Sequence, residues 1–204
     1  MTRLYTIGLE TLAGLIFLLP LLLLLIKLGH GKLGKPRTVL LLLFVTFLTA
    51  VFAATGVPSL SNLVTDYSVN IIPLRGAVLG LGQFCLNILL FLPLGLLLPL
   101  LWYHFTNWKI VALYGFSLSL FIEISQLFTY RSSDFDDLLA NTLGAVLGFF
   151  LIKLVAAKTP LSLATPQAGE KPWPYQAYAL ALLTFLVMFL LQPFIADLFW
   201  SWLI

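Results

Sequence analysis

The chain has 204 residues, of which 61% are hydrophobic and only 9% are charged, and its formal net charge is +3. Soluble domains carry about 25% charged residues, so this composition excludes an ordinary water-soluble globule and indicates an integral membrane protein. In such a protein a small positive charge reports on topology, and we expect no nucleic-acid partner. Cys85 is the single cysteine, which excludes an intramolecular disulfide.

Six apolar runs approach the roughly 20 residues that a membrane-spanning helix needs. They occupy residues 4–28, 38–55, 81–103, 110–128, 138–156 and 177–198. The first run is too long for the core of a signal peptide, so we expect it to remain as a helix. The sequence therefore predicts an all-α, polytopic membrane helix bundle that forms a single integral membrane domain over residues 1–204.

The basic residues are unevenly distributed between the two sets of loops. Eight would lie on one side of the membrane and three on the other. The first set is Lys27, Lys32, Lys35, Arg37, Lys109, Lys153, Lys158 and Lys171, and the second is Arg3, Arg75 and Arg131. The positive-inside rule then predicts a multi-pass protein of the cell membrane, with both termini and the 131–137 turn outside.

The outer loop over residues 56–80 is the longest on its side. Its apolar residues have helical spacing at Leu60, Leu63, Val64, Tyr67 and Ile71. This spacing predicts a short helix in the outer interface, and a plain surface loop is the alternative.

Residues 119–148 hold four of the chain's eight acidic residues between apolar runs. Polar residues fall on one helix face before residue 131 and on another after residue 133. The first face carries Ser119, Glu123, Gln126 and Tyr130, and the second carries Asp134, Asp137, Asn141, Gly144 and Gly148. The pattern predicts a membrane-embedded helical hairpin whose polar faces meet.

A helix rises 1.5 Å per residue, which allows the depth of these groups to be compared. Glu123 and Asn141 are each seven residues from the turn, so we expect them to face each other. Asn87 would reach the same layer from a third face formed by Gly76, Gly80, Gln83 and Asn87. A carboxylate in lipid costs about 2.5–3.5 kcal/mol, and we expect Arg75 or Arg131 to pair with the acidic group. Gly144 and Gly148 would let another helix approach closely.

Other interpretations of these polar residues remain open. Ser133 and Asp136 have the spacing of a capping box, and the remaining polar groups could simply hold the bundle together. Glu123, Asp134 and Asp137 offer hard oxygen ligands, but the familiar metal-enzyme and nucleophile motifs are absent. We expect no metal and no cofactor.

Several short motifs occur in a distinctive order. They are Asn70-x-x-Pro73, the run from Asn87 through Pro93 to Gly95, Glu123-x-x-Gln126, Arg131, Asp134-x-Asp136-Asp137, Asn141, Gly144 and Gly148. With them the chain resembles the VanZ-like family of bacterial membrane proteins over about residues 40–153, while the C-terminal helix at about 177–198 lies outside the pattern. That family is named for a protein linked to resistance against teicoplanin, a lipoglycopeptide. The resemblance implies a role in the cell envelope but supplies no reaction.

Three hypotheses follow for the function. In the first, an outer-leaflet cavity binds or modifies an amphiphile such as a membrane lipid, a lipid-linked wall precursor or a lipoglycopeptide. The binding residues would be Asn87, Glu123, Gln126, Asp134, Asp137 and Asn141, with Arg131 or Arg75 contacting a phosphate or balancing the acids. In the second, Glu123 or Asp137 is the catalytic acid or base of a membrane-embedded enzyme. In the third, the protein is a structural partner without a ligand.

Overall fold

The structure is a computed structural model that describes residues 3–28, 34–61, 63–64, 69–70, 80–129, 133–164 and 175–203. Seven α-helices account for most of these residues. They are α1 (Arg3–Leu28), α2 (Lys35–Thr55), α3 (Leu81–Leu101), α4 (Trp108–Gln126), α5 (Phe135–Lys158), α6 (Tyr175–Leu190) and α7 (Gln192–Leu203). A 3-10 helix spans Tyr103–Thr106, and the two-residue strands are β1 (Val69–Asn70) and β2 (Ser133–Asp134).

The helices have the length and the surface expected of a membrane protein. Within the described part of the chain, α1 to α5 are long and apolar enough to cross a membrane. Many of their large apolar side chains are exposed, including Leu86, Leu89, Phe150 and Leu154. Contiguous exposed apolar surface on this scale is suited to lipid rather than to water. The predicted all-α polytopic membrane bundle is thus confirmed.

The predicted sixth span differs from the structure. Residues 177–198 do not form one helix, because α6 ends at Leu190 after 16 residues and α7 begins at Gln192. Pro193 explains the break, since proline lacks the N–H that a continuous helix needs but is well suited to the first turn of a new one. Among the described residues, five helices are therefore long and apolar enough for a span, and α6 is a shorter apolar helix.

The chain divides into two compact units, of which the first holds α1, α2, most of α6 and α7, together with residues 56–65 and 128–130. Leu18 and Leu22 of α1 pack with Val45 of α2 and Val187 of α6 in its apolar core. Gly14 lies beside them, and a Cβ there would come within 2.5 Å of the Met188 sulfur.

The predicted interfacial helix between Leu60 and Ile71 lies largely outside the described residues. Its described part is not helical: residues 60–61 form a turn, 63–64 are irregular and 69–70 form β1. Backbone hydrogen bonds run from Leu60 N to Phe189 O and from Val64 N to Phe128 O. These bonds anchor the described loop residues to other parts of the first unit.

The second unit, which contains α3, α4, α5 and the two strands, is built around α5. A Cβ at Gly144 or Gly148 of α5 would collide with the backbone carbonyls of Ile88 and Leu92 on α3, and one at Gly95 would collide with the carbonyl of Ala145. Contacts this close require glycine. The predicted close approach at Gly144 and Gly148 is confirmed, and α3 is the helix that makes it.

The three helices of this unit have fixed relative directions. The residue numbers in contact rise together along α3 and α5, so these helices are parallel, and β1 pairs in parallel with β2. Along α4 the numbers fall as those of α5 rise: Gly115 lies near Ala145, and Ser119 bonds Asn141. The start of α3, the end of α4 and the start of α5 therefore lie at the same end of the unit, where the polar residues collect.

Candidate functional site

Polar side chains are concentrated at this end of the second unit. We call the following residues the polar cluster: Asn87, Ser119, Glu123, Asp134, Asp137 and Asn141. Ser119, Glu123 and Asn141 are each at most 5% exposed, while Asn87, Asp134 and Asp137 are half-buried. Buried polar groups in a membrane-spanning bundle are expensive and need partners, so their contacts indicate what the cluster can do.

Glu123 lies in the last turn of α4 and reaches the beginning of α5. Its Oε2 accepts a hydrogen bond of 2.9 Å from the backbone N–H of Asp134. Asp134 is the N-cap of α5, and its Oδ1 accepts from the N–H of Asp136 at 2.9 Å. The first N–H groups of a helix lack partners within the helix and carry partial positive charge, so both carboxylates stabilise the start of α5.

Asp134, rather than Ser133, therefore caps α5. The predicted capping box of Ser133 and Asp136 requires the helix to begin one residue earlier than it does. Asp136 is only 2% exposed and lies in the first turn, where the helix dipole favours a carboxylate.

Asn87 connects α3 to α5. Its Nδ2 donates a hydrogen bond of 2.5 Å to Oδ1 of Asp137, in the first turn of α5. An amide donor on an ionised carboxylate forms a charge-assisted hydrogen bond, which is stronger than one between neutral groups. The sequence predicted that Asn87 reaches the layer of Glu123 and Asn141, and the bond instead places it at Asp137, one turn nearer the start of α5 than Asn141.

Asn141 connects α5 to α4. Its Nδ2 donates to Oγ of Ser119 at 2.9 Å. The other end of the amide, Oδ1, has no hydrogen-bond partner within the described part of the chain, although Asn141 is only 2% exposed. A buried acceptor without a donor costs about 1–3 kcal/mol, which makes this oxygen the least satisfied polar atom of the cluster.

The register of the hairpin differs from the predicted one by about one turn. Asn141 bonds Ser119 rather than facing Glu123, and Glu123 meets the start of α5. The prediction continued α4 to residue 130, whereas the helix ends at Gln126 and residues 127–129 form a turn. Ser119 thus belongs to the cluster, and its spacing of four from Glu123 was the signal that could have added it to the candidate residues.

Among the remaining predicted site residues, Gln126 is 5% exposed at the end of α4. Gln83, which was predicted only to share a face of α3 with Asn87, is exposed and does not extend that polar face. Arg75 and Arg131 lie outside the described residues, and their pairing with the acidic group stays a prediction. In the described part of the chain, no group of three or more His, Cys, Asp or Glu side chains is placed to hold a metal ion.

Comparison of the sequence with models of known protein families gives a match. The family model described as VanZ/LLP1 matches residues 17–156, which is more than half of the chain. The matched span runs from within α1 almost to the end of α5 and includes every residue of the polar cluster. No curated protein and no solved structure matches the chain. The chain therefore belongs to the VanZ/LLP1 family.

Proposed function

We propose that this VanZ-like membrane protein acts in the cell envelope by binding the polar part of an outer-leaflet amphiphile at the polar cluster. The observation that carries the proposal is the buried Oδ1 of Asn141, which has no hydrogen-bond donor within the described part of the chain and lies on the same face of α5 as the half-buried Asp137. Burying a polar group inside a membrane bundle costs free energy. A buried polar group that has no hydrogen-bond partner among its neighbours is therefore typical of a binding site.

The close packing of the second unit supports a preformed site. Gly95, Gly144 and Gly148 hold α3 against α5 at backbone distance, so the polar side chains project from a rigid support. Binding to a preorganised site avoids the entropic cost of ordering the chain when the ligand arrives.

An amphiphile also needs an apolar surface beside its polar group. Leu86 and Leu89 of α3 are 64% and 61% exposed, so the helix that carries Asn87 offers an apolar surface to an acyl chain near its start. Arg75 and Arg131 would contact a phosphate of the ligand or balance the acids.

The candidate ligands are a membrane lipid, a lipid-linked wall precursor and a lipoglycopeptide, and the last would make this chain a determinant of teicoplanin resistance. The test is to express the chain in a susceptible bacterial host. The growth inhibition caused by teicoplanin is then compared with that caused by a glycopeptide without an acyl chain. We expect reduced susceptibility to teicoplanin alone, and its loss in the Glu123→Gln and Asp137→Asn variants. Unchanged teicoplanin susceptibility on expression of the wild type would remove the resistance proposal.

A second candidate is a structural role without a ligand. The observation that favours it is that the bonds Asn87–Asp137 and Asn141–Ser119 each join two helices of the unit. In that case, replacing these side chains would lower the stability of the protein and would alter the phenotype only to the extent that stability falls.

A further inference from the structure

We propose that the groove between α4 and α5 binds an anionic phospholipid at the end of the second unit that lies opposite the polar cluster. This inference is independent of the proposed function, because none of the residues that carry it belongs to the polar cluster. Three observations lead to it: the positions of two exposed lysines, the lack of acidic residues in the adjoining sequence, and the apolar side chains that continue from the lysines along both helices.

The two lysines flank the line along which α4 and α5 are in contact. These helices are antiparallel, and a Cβ at Gly115 of α4 would lie 2.9 Å from the Cβ of Ala145 on α5. At about 1.5 Å per residue, Lys109 is about 9 Å from this contact along α4 and Lys153 is about 12 Å from it along α5, so they lie at nearly the same level. With about 3.6 residues per turn, Lys109 is turned about 120° and Lys153 about 80° from the contact line. Because the helices are antiparallel, both turn toward the same side of the pair.

The packing of the two helices allows both ammonium groups to serve one headgroup. Helices in contact lie about 8–10 Å apart, so two residues on the same side and at the same level have Cα atoms at a similar separation. Lys153 Nζ lies 5.8 Å from the centre of the Phe149 ring. Phe149 follows Ala145 by one turn, on the side of α5 that faces α4, and so it holds the Lys153 ammonium over the groove. A headgroup placed between the two flexible lysine side chains contacts both.

The charge at this end of the unit is positive. Residues 98–122 and 138–169 contain no Asp or Glu. The acidic residues of α4 and α5 all lie at the other ends of these helices. Lys109 and Lys153 are both exposed, and neither forms an ion pair with a residue that the structure describes. An anionic group is therefore the partner that complements this end of the groove.

Apolar side chains continue from the lysines toward the middle of both helices. Leu113 and Phe116 follow Lys109 on the same face of α4 and are 48% and 41% exposed. Phe150 precedes Lys153 by three residues on α5 and is 51% exposed. Acyl chains can cover this apolar surface while the phosphate lies between the two ammonium groups. A soluble anion would leave the apolar surface uncovered, so the groove fits a phospholipid.

The experiment uses the full chain purified in detergent and measures lipid retention by native mass spectrometry. The probes are phosphatidylglycerol and phosphatidylcholine with identical acyl chains. One lysine near the headgroup strengthens the binding of an anionic lipid about fivefold, so two lysines should favour phosphatidylglycerol about twentyfold. Equal retention of the two lipids would overturn the proposal.

The variants Lys109→Gln and Lys153→Gln each remove one charge and keep a long polar side chain. Each should lower the retention of phosphatidylglycerol about fivefold and leave that of phosphatidylcholine unchanged. Lys158→Gln is the matched control, because Lys158 is exposed on the same helix but lies about 140° around it from Lys153, outside the groove. All three variants should fold, since these exposed lysines form no ion pair within the described part of the chain.

Two results with these variants would also overturn the proposal. An equal loss of phosphatidylglycerol in all three would show that the overall charge of this end, rather than the groove, attracts the lipid. Retention that falls in Asp137→Asn but not in the lysine variants would place the lipid at the polar cluster instead.

Discussion

The amide of Asn87 on α3 donates its hydrogen bond to the carboxylate of Asp137 on α5, at the start of the interface that continues into the close contacts of Ile88 with Gly144 and of Leu92 with Gly148. Replacing Asn87 by leucine should leave the half-buried carboxylate without this donor and lower the free energy of unfolding by about 1–2 kcal/mol. Thermal unfolding in detergent measures the change. Gln83→Leu on the same helix is the control, because Gln83 is exposed and its replacement should have little effect.

A double-mutant cycle tests whether this loss comes from the bond itself. If the bond is the cause, Asn87→Leu should cost about 1 kcal/mol less in the Asp137→Leu background than in the wild type. Equal effects in the two backgrounds would mean that the bond contributes nothing to stability.

The glycine contacts between α3 and α5 predict a larger effect. Gly148→Ala would drive a methyl group into the carbonyl of Leu92, so the helices must separate or shift along their length. Overpacking costs about 1–3 kcal/mol. Because the obstructing group here is backbone, which cannot move aside alone, we expect the free energy of unfolding to fall by an amount at the upper end of that range.

Gly82→Ala is the matched control for Gly148→Ala. A Cβ at Gly82, in the first turn of α3, has open space around it. This substitution should be neutral or should stabilise by up to about 1 kcal/mol, since alanine favours the helix. Similar destabilisation by both substitutions would contradict the inferred backbone contact.

Sequence periodicity was sufficient to place most of the helices and to choose the faces of the hairpin. The spacings of three and four that end at Asn141 and Gly148 depend only on helix geometry, and Asn141, Gly144 and Gly148 are indeed buried. Asp137 of the same face is half-buried, and the buried Asp136 was not on the predicted face. The same reasoning recognised Gly144 and Gly148 as a close contact, since small residues four apart have few other uses in a membrane helix.

Periodicity could not determine the register of the hairpin. The register depends on where α4 stops, and residues 127–129 contain neither glycine nor proline to mark the turn. Nor could it choose between two adjacent capping residues, Ser133 and Asp134. The pairing of β1 with β2 depends on backbone hydrogen bonds between segments far apart in sequence, and strands of two residues carry no periodic signal.

Asn141→Leu distinguishes binding from a purely structural role. Leucine is similar in size to asparagine and removes an acceptor that has no described donor. Ser119 loses its partner but can turn its hydroxyl to its own helix, as Ser117 does toward the Leu113 carbonyl. Removing an unsatisfied buried group together with one hydrogen bond should change the free energy of unfolding by less than about 1 kcal/mol.

The functional effect of the same variant should be large. If the cluster binds a ligand, Asn141→Leu should abolish the teicoplanin phenotype at near wild-type stability. Unfolding in detergent and the functional assay, run on one preparation, measure both quantities. Retained function with a clear loss of stability would instead support the structural role.

The side of the membrane on which the polar cluster lies is a prediction from charge alone and can be measured directly. If α3, α4 and α5 each cross the membrane, as their length and composition allow, the 56–80 loop and the α4–α5 turn lie on the same side and the 158–174 connection lies on the opposite side. Single cysteines can be introduced by Ser61→Cys and Leu161→Cys in a Cys85→Ser background, since both positions are exposed. The positive-inside rule predicts that a membrane-impermeant maleimide labels the first in intact cells and the second only after the cells are opened. The reverse pattern would place the cluster at the cytoplasmic leaflet, where it could not receive an external lipoglycopeptide, and the ligand would then have to be a lipid of the inner leaflet.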